Sequence, residues 1–234
     1  MGTPGGGRML QVETGCKNIF RFENVLDPQV CDDLIWAAKN SGHIIPDDQN
    51  TEHTLSFADW GIYDNSVKLS HIKRRLHAHV HFVSQLIYKC YNIPVYPDRT
   101  DIFCYPPGSV MGGHFDCHEY DENDPPKENF KIYVPPYAST EYTRTVSSVT
   151  YLNDDFEGGE TIIRDALWQS GDTSHKEYTS VPKKGSVVLY HARCLHWVNQ
   201  IVGSNRFAIP IFYTDDPNLC EHEFHTLYQR KSYK

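Results

Sequence analysis

The most constraining feature of the sequence is a series of short β-branched and aromatic segments that follows Asp98. Segments of this kind, separated by glycine, proline and aspartate, are typical of strands joined by tight turns. They read DIFCY, VSSVTYL, ETIIR, SVVLY and RFAIPIFYT. They predict a core built from strands in the second half of the chain.

Two amphipathic helices are predicted before these strands. Asp27 can cap the first helix, Pro28 lies in its first turn and Gly42 ends it. The second is predicted from about residue 70 to residue 91, because apolar residues recur at helical spacing. These apolar residues are Ile72, Leu76, Val80, Val83 and Ile87. Helices first and strands afterwards favour helices packed on a strand sandwich over alternating β–α–β units.

The length of 234 residues suits a single domain. Residues 1–16 are glycine-rich and aperiodic, so we expect a flexible leader followed by one domain at 17–234. Within it, the helices are expected in about 27–92 and the strand core in about 98–216. The segment from Glu119 to Arg144 contains four prolines and no regular period, which predicts a long loop and a candidate lid.

Charge and cysteine content limit the partners and the compartment. A net charge of -8 gives no electrostatic footprint for nucleic acid. No stretch is apolar and long enough to cross a bilayer, and the start lacks a secretory signal, so no membrane partner is expected. Seven cysteines without a CxxC pair suit a reducing compartment, which predicts a cytoplasmic protein. The sequence does not indicate the oligomeric state.

The segment GGHFDCH carries a candidate pair of metal ligands, His114 and Asp116. On a strand, residues two apart project to the same face, so this imidazole and this carboxylate would converge. His196, in the segment HARCLHWVN, is the candidate third ligand, and His191 is its rival. His118 would share the face of Asp116, but we interpret it as a group near the site or on the surface.

Two imidazoles and one carboxylate on one side of a metal leave the opposite positions open. Non-haem Fe(II) enzymes use this arrangement to bind a chelating co-substrate and then oxygen, although the same donors could hold zinc. Arg206 follows His196 by ten residues and opens the segment RFAIPIF. A buried guanidinium needs a carboxylate partner, which a dicarboxylic co-substrate would supply. A structural salt bridge at the strand end is the alternative.

Three motifs in order resemble those of the prolyl 4-hydroxylase branch of Fe(II)/2-oxoglutarate dioxygenases. They are CYPPGSVMGGHFD, SSVTYLNDDFEGGET and PKKGSVVLYHARCLHWVNQIVGSNR, and they cover the C-terminal half to two-thirds of the chain. The resemblance implies a mainly β fold with flanking α-helices around a double-stranded β-helix, or jelly-roll, core. It also implies that Fe(II) is bound by His114, Asp116 and His196.

The resemblance further implies a site for 2-oxoglutarate. Arg206 matches the basic residue that grips the distal carboxylate, while Tyr105 and Tyr151 match positions whose hydroxyls help to hold it. Their alternative role is that of two core aromatics. Thr161 faces the same pocket by resemblance. Met111 departs from the family, since many members have tyrosine there, and the corresponding contact is absent.

The activity implied by this resemblance is an oxygenase reaction. Fe(II), 2-oxoglutarate and O2 would be required, with ascorbate as a reductant, and succinate and CO2 would be released. The substrate would be a prolyl or other side chain of a protein or peptide, which is hydroxylated at an unactivated C–H bond. A free amino acid or other small metabolite is the second hypothesis. A catalytically silent jelly-roll binding protein is the third.

Overall fold

The predicted strands exist and pair in antiparallel fashion. The computed structural model describes residues 8–40, 45–46, 52–56, 67–117, 144–167 and 176–220. Its helices are α1 (Pro28–Asn40) and α2 (Val67–Tyr91), with a turn of 3-10 helix at Pro217–Leu219. Its strands are β1 (Leu10–Val12), β2 (Ile19–Glu23), β3 (Ile45–Pro46), β4 (Glu52–Ser56), β5 (Tyr96–Tyr105), β6 (Met111–His114), β7 (Arg144–Tyr151), β8 (Glu157–Gly158), β9 (Thr161–Leu167), β10 (Glu177–Ser180), β11 (Val187–His191), β12 (Cys194–Val198), β13 (Ile201–Val202) and β14 (Arg206–Thr214).

The strands of the described residues form two main sheets. The larger has eight strands in the order β1-β2-β11-β7-β14-β5-β4-β3, and the smaller has four in the order β10-β9-β12-β6. A short pair, β13 with β8, stands beside them. The order is far from sequential, as expected when a strand-built core closes on itself in a jelly roll. The five predicted strand segments lie in β5, β7, β9, β11 and β14.

Strand β11 shows how the layers stack. Val187 and Leu189 belong to the apolar cluster that contains the helices, whereas Val188 and Tyr190 belong to a second cluster. The second cluster also takes Ile163 from the smaller sheet. Because alternate residues of a strand face opposite sides, the larger sheet is the middle layer. The helices cover one face and the smaller sheet covers the other.

Both predicted helices are confirmed, and both pack through their apolar faces. Asp27 Oδ1 accepts a hydrogen bond from the Gln29 backbone N–H at 2.8 Å, so the predicted cap of α1 is present. Leu34 of α1 and Leu76 and Val83 of α2 are fully buried. Burial of one such side chain stabilises the fold by about 1.5–3 kcal/mol. No helix in the described part of the chain is long and apolar enough to cross a membrane.

The first part of the chain departs from two expectations. Residues 10–12, placed in the predicted leader, form β1, which pairs with β2 at the edge of the larger sheet. Strands β3 and β4 lie between the two helices in the sequence and extend the opposite edge. The simple order of helices and then strands is therefore wrong. These strands are two to five residues long, and pairing with neighbours rather than local pattern defines them.

Some predictions fall outside the described residues. These include the end of the first helix at Gly42, the position of His118 near the site or on the surface, and nearly all of the candidate lid, residues 119–144. Arg144 is the exception, since it begins β7.

Candidate metal centre

His114, Asp116 and His196 converge on one point between the sheets. One potential ligand atom from each lies within 4.8 Å of the others. Asp116 Oδ1 lies 3.7 Å from His114 Nε2, and Asp116 Oδ2 lies 3.5 Å from His196 Nε2. The two imidazole centroids are 4.2 Å apart. This cluster of two histidines and one carboxylate can hold a metal ion.

Strand pairing places the two imidazoles, and a loop contact places the carboxylate. His114 ends β6 and stands directly opposite His196 of β12. Asp116 lies beyond the end of β6, so strand alternation does not position it as predicted. Its backbone N–H instead donates to the Ala192 carbonyl at 3.0 Å. The convergence was predicted, but the reason given for Asp116 was wrong.

Both imidazoles present Nε2 to the cluster. His114 Nδ1 lies 2.8 Å from the Gly112 carbonyl, and His196 Nδ1 lies 3.0 Å from the Cys194 carbonyl. A carbonyl only accepts, so each Nδ1 carries the proton and each Nε2 keeps its lone pair for a metal. Burial lowers the pKa of His196, with a smaller opposing effect from Asp116, so its ring is neutral at neutral pH.

Tyr190 contacts the side chain of Asp116, and this residue was not identified from the sequence. Its hydroxyl donates to Asp116 Oδ2 at 3.3 Å, and its ring lies 4.7 Å from that of His196. Burial first, and then the charge of Asp116, raises the pKa of Tyr190 well above 10. The available signal was parity within SVVLY, which places Tyr190 on the face opposite Val187 and Leu189.

Arg144 supports Asp116 from the start of β7. Its Nη1 donates to the Asp116 carbonyl at 3.4 Å, and its Nε donates to Asp98 Oδ2 at 3.0 Å. Asp98 and Arg144 are both buried, which makes this an interior ion pair. The backbone of Asp116 is therefore held on one side by Ala192 and on the other by Arg144. No sequence motif indicated this role.

Arg206 is buried without an acidic partner among the described residues. It is 1% exposed, and its Nη2 donates to Thr161 Oγ1 at 3.3 Å. Its Nε is buried and makes no hydrogen bond, and none of the described carboxylates forms an ion pair with Arg206. The alternative of a structural salt bridge thus has no support among the described residues. A buried guanidinium of this kind fits a ligand carboxylate.

The two predicted tyrosines flank this guanidinium. Arg206 Cζ lies 4.8 Å from the Tyr105 ring centroid and 5.3 Å from that of Tyr151. Burial raises the pKa of Tyr105, although Arg206 opposes the shift and Asp116 adds to it. The charges of Arg206 and Asp116 therefore both act on Tyr105. The Tyr151 hydroxyl lies 2.9 Å from Thr161 Oγ1, the atom that accepts a hydrogen bond from Arg206 Nη2.

Gly158 ends β8 and Gly159 follows it, and Gly159 also leaves room for Arg206. Their φ angles are +71° and +65°, which favour glycine. A Cβ at Gly158 would lie 2.0 Å from the Gln200 carbonyl oxygen. A Cβ at Gly159 would lie 3.0 Å from Arg206 Cδ. The absence of a side chain at Gly159 therefore leaves space for the Arg206 side chain.

His191, the rival for the third ligand position, lies outside the cluster, and Met111 lies on the same strand as His114. His191 ends β11, and its Nδ1 accepts from the Arg193 backbone N–H at 3.2 Å. Burial lowers its pKa, and the nearby Arg193 lowers it further. It does not belong to the His114 cluster. Met111 of β6, the departure from the family pattern, pairs with Val198 of β12.

The chain is similar to known proteins with this architecture. Residues 101–214 match the 2OG-Fe(II) oxygenase superfamily. The viral collagen prolyl hydroxylase of Paramecium Bursaria Chlorella virus-1, in a 2OG complex, aligns at 16% identity and TM-score 0.54, covering 87% of this chain and 98% of that one. A Trichoplax adhaerens prolyl hydroxylase with a hypoxia inducible factor peptide fragment aligns at 14% and 0.58, covering 91% and 88%.

A third similar structure has a different stated activity. The non-heme alpha ketoglutarate dependent epimerase SnoN from nogalamycin biosynthesis aligns at 13% identity and TM-score 0.61, covering 86% of this chain and 79% of that one. No curated protein matched the sequence. At these identities the structural similarity establishes the fold, and the predicted jelly roll is confirmed.

Proposed function

Because residues 101–214 match the 2OG-Fe(II) oxygenase superfamily, we propose that this chain hydroxylates a prolyl or other side chain of a protein or peptide. His114, Asp116 and His196 bind Fe(II) in this proposal, and Arg206 binds 2-oxoglutarate. One observation carries it: the three ligands meet at one point, and a buried guanidinium without an anion among the described residues donates to Thr161, on the strand that pairs with the strand of His196.

The donor set fits Fe(II), and the pocket fits a dicarboxylate. Two neutral imidazoles and one carboxylate suit Fe(II) and leave coordination positions open. Bound Fe(II) would supply the oxidative chemistry that turns 2-oxoglutarate and O2 into succinate and CO2 while the substrate gains a hydroxyl group. Arg206 pairs with the distal carboxylate because an anion relieves the cost of its buried charge. Thr161 and Tyr105 then fix the direction of the guanidinium.

In this proposal the protein also orients the substrate and keeps water away from the reacting groups. Asp116 and His196 are almost fully buried, whereas the His114 side chain is 36% exposed. The cluster is thus sheltered on the Tyr190 side and open on the His114 side. Substrate approaches past His114 in this proposal, and the buried side prevents unproductive reaction with water.

Two similar structures support a peptide substrate, and one supports the alternative. The viral protein is described as a collagen prolyl hydroxylase, and the Trichoplax protein is in complex with a peptide fragment. SnoN, an epimerase of nogalamycin biosynthesis, favours the second candidate, a small-molecule substrate. Succinate release measured with free amino acids and with proline-containing peptides would distinguish them. Turnover of free amino acids alone would reject the peptide substrate.

Ascorbate dependence and a cytoplasmic location stay predictions.

The iron site is tested by spectroscopy without oxygen. Anaerobic Fe(II) plus 2-oxoglutarate should give the weak visible charge-transfer band of a chelated keto acid. Asp116→Ala should remove this band, whereas Asp155→Ala, at an exposed carboxylate, should retain it. A wild-type protein without the band would contradict the proposal and favour the third hypothesis, a silent jelly-roll binding protein.

A further inference from the structure

A second buried arginine, Arg21, lies beside the Tyr151 ring. It occupies the middle of β2 and is only 5% exposed. Its Nη1 donates to Ser180 Oγ at 2.5 Å, and its Nη2 donates to Ser186 Oγ at 3.2 Å. None of the described carboxylates forms an ion pair with it. Its hydrogen-bond acceptors are neutral hydroxyls, so no opposite charge offsets the buried guanidinium among the described residues.

Hydroxyl groups connect Arg21 to Arg206. Ser180 Oγ, the acceptor of Arg21, lies 2.9 Å from the Tyr151 hydroxyl. That hydroxyl lies 2.9 Å from Thr161 Oγ1, which accepts from Arg206 Nη2. The Tyr151 hydroxyl also lies 3.2 Å from the Ser180 carbonyl oxygen. A continuous chain of three hydroxyls therefore joins two buried guanidinium groups.

The Tyr151 ring also contacts both cations. Arg21 Cζ lies 5.8 Å from its centroid, and Arg206 Cζ lies 5.3 Å from it. An aromatic ring attracts a cation through its negative faces, so each guanidinium helps to fix this ring. The second charge also makes the positive potential of the pocket stronger, because a buried charge is poorly screened.

We propose that Arg21 is a positioning residue for the distal carboxylate of the co-substrate, acting through Ser180, Tyr151 and Thr161 on Arg206. This inference rests on the proposed function. Arg21 donates to Ser180 Oγ and so restricts the directions in which the Ser180 and Tyr151 hydroxyls can point. Thr161 and Arg206 are then preset to receive an anion. The preference for a dicarboxylate over a monocarboxylate depends on both arginines.

The test compares two keto acids that differ only at the distal end. 2-Oxopentanoate carries a methyl group where 2-oxoglutarate carries its second carboxylate. The dissociation constants of both are measured by anaerobic titration of the Fe(II) protein, and their ratio reports recognition of the distal carboxylate. Arg21→Met should lower this preference about tenfold, the effect of losing one charge-assisted hydrogen bond. Fe(II) affinity should not change, because Arg21 has no contact with the three ligands.

Matched variants separate this role from a general effect of charge or folding. Arg164→Met removes an exposed arginine that pairs with Glu177, and it should leave the ratio unchanged. An equal fall with Arg164→Met would overturn the proposal. If Arg21→Met does not fold, Arg21→Lys and Ser186→Ala decide: a lower ratio in either supports the role, and unchanged ratios in both overturn it.

Two failures remain distinguishable. A wild-type protein that binds neither keto acid contradicts the proposed function and, with it, this inference. A wild-type protein that prefers 2-oxoglutarate, together with a folded Arg21→Met variant of equal preference, contradicts the role of Arg21 alone.

Discussion

The Tyr190 hydroxyl donates a hydrogen bond over 3.3 Å to Asp116 Oδ2, the carboxylate oxygen that also lies 3.5 Å from His196 Nε2. Because the pKa of Tyr190 is raised well above 10, this hydroxyl keeps its proton at any working pH. The Tyr190 ring in turn packs beside His196. One aromatic residue therefore fixes the direction of two proposed metal ligands.

The first prediction concerns this hydrogen bond. Tyr190→Phe keeps the ring but removes the donor, and we expect Fe(II) affinity to fall about tenfold, as is usual for groups that orient metal ligands. Anaerobic calorimetric titration with Fe(II) measures the effect. Tyr88→Phe, at an exposed position on α2, is the control. An unchanged affinity in Tyr190→Phe would show that Asp116 needs no such support.

The second prediction separates stability from co-substrate binding at Arg206. Arg206→Met removes a buried charge without an anion among the described residues, so the metal-free protein should be neutral to about 2 kcal/mol more stable. In the Fe(II)-loaded wild type, 2-oxoglutarate at a hundredfold excess over its dissociation constant should add about 2.7 kcal/mol. The variant should lose this gain and keep its iron affinity. Equal loss of iron and 2-oxoglutarate would instead indicate a structural role.

Local pattern predicted the helices, the main strands and the side chains that converge in the candidate metal centre. Helix α2 follows from the spacing of Ile72, Leu76 and Val80, and β11 follows from SVVLY. His114 and His196 carry recognisable motifs, and their pairing across β6 and β12 brings them together. These features depend on residues close in the sequence, or on motifs whose order is itself informative.

Contacts between distant segments could not be predicted in this way. Arg21 and Ser180 are 159 residues apart, and Arg144 reaches the Asp116 carbonyl over 28 residues. Parity along β11 indicates which way Tyr190 points but not which side chain it meets. The sheet order brings these partners together, and strands as short as β1 and β2 leave little local signal of that order.

The third prediction concerns the packing of Gly159 against Arg206. Gly159→Ala should cost about 2 kcal/mol of stability through its positive φ and the close contacts of its Cβ with Phe156 Cε2 and Arg206 Cδ, and it should weaken 2-oxoglutarate binding. Gly108→Ala is the matched control. Its φ is +91°, but nothing lies within 4 Å of the added Cβ. Denaturant unfolding and 2-oxoglutarate titration measure both effects. If both variants lost the same stability and the same 2-oxoglutarate affinity, backbone strain alone would explain the effect.

The fourth prediction concerns stability at acid pH. His79 is 2% exposed on α2, and its Nε2 lies 2.9 Å from Thr150 Oγ1. Burial lowers its pKa from 6.5 to about 4. Between these two values the unfolded chain binds more protons than the native protein, so stability falls as the pH falls through this window. The loss from this one group should reach about 3 kcal/mol once the pH is below about 4.

His79→Gln isolates this contribution because glutamine can still hydrogen-bond to Thr150 and does not titrate. Urea unfolding of both metal-free proteins, from neutral pH to about pH 4, gives the free energy of unfolding at each step. Carboxylates that titrate in the same range affect both proteins equally, so the difference between the curves reports His79. We expect wild type to lose about 3 kcal/mol more than the variant over this range. Parallel curves would mean that His79 is not held neutral by burial.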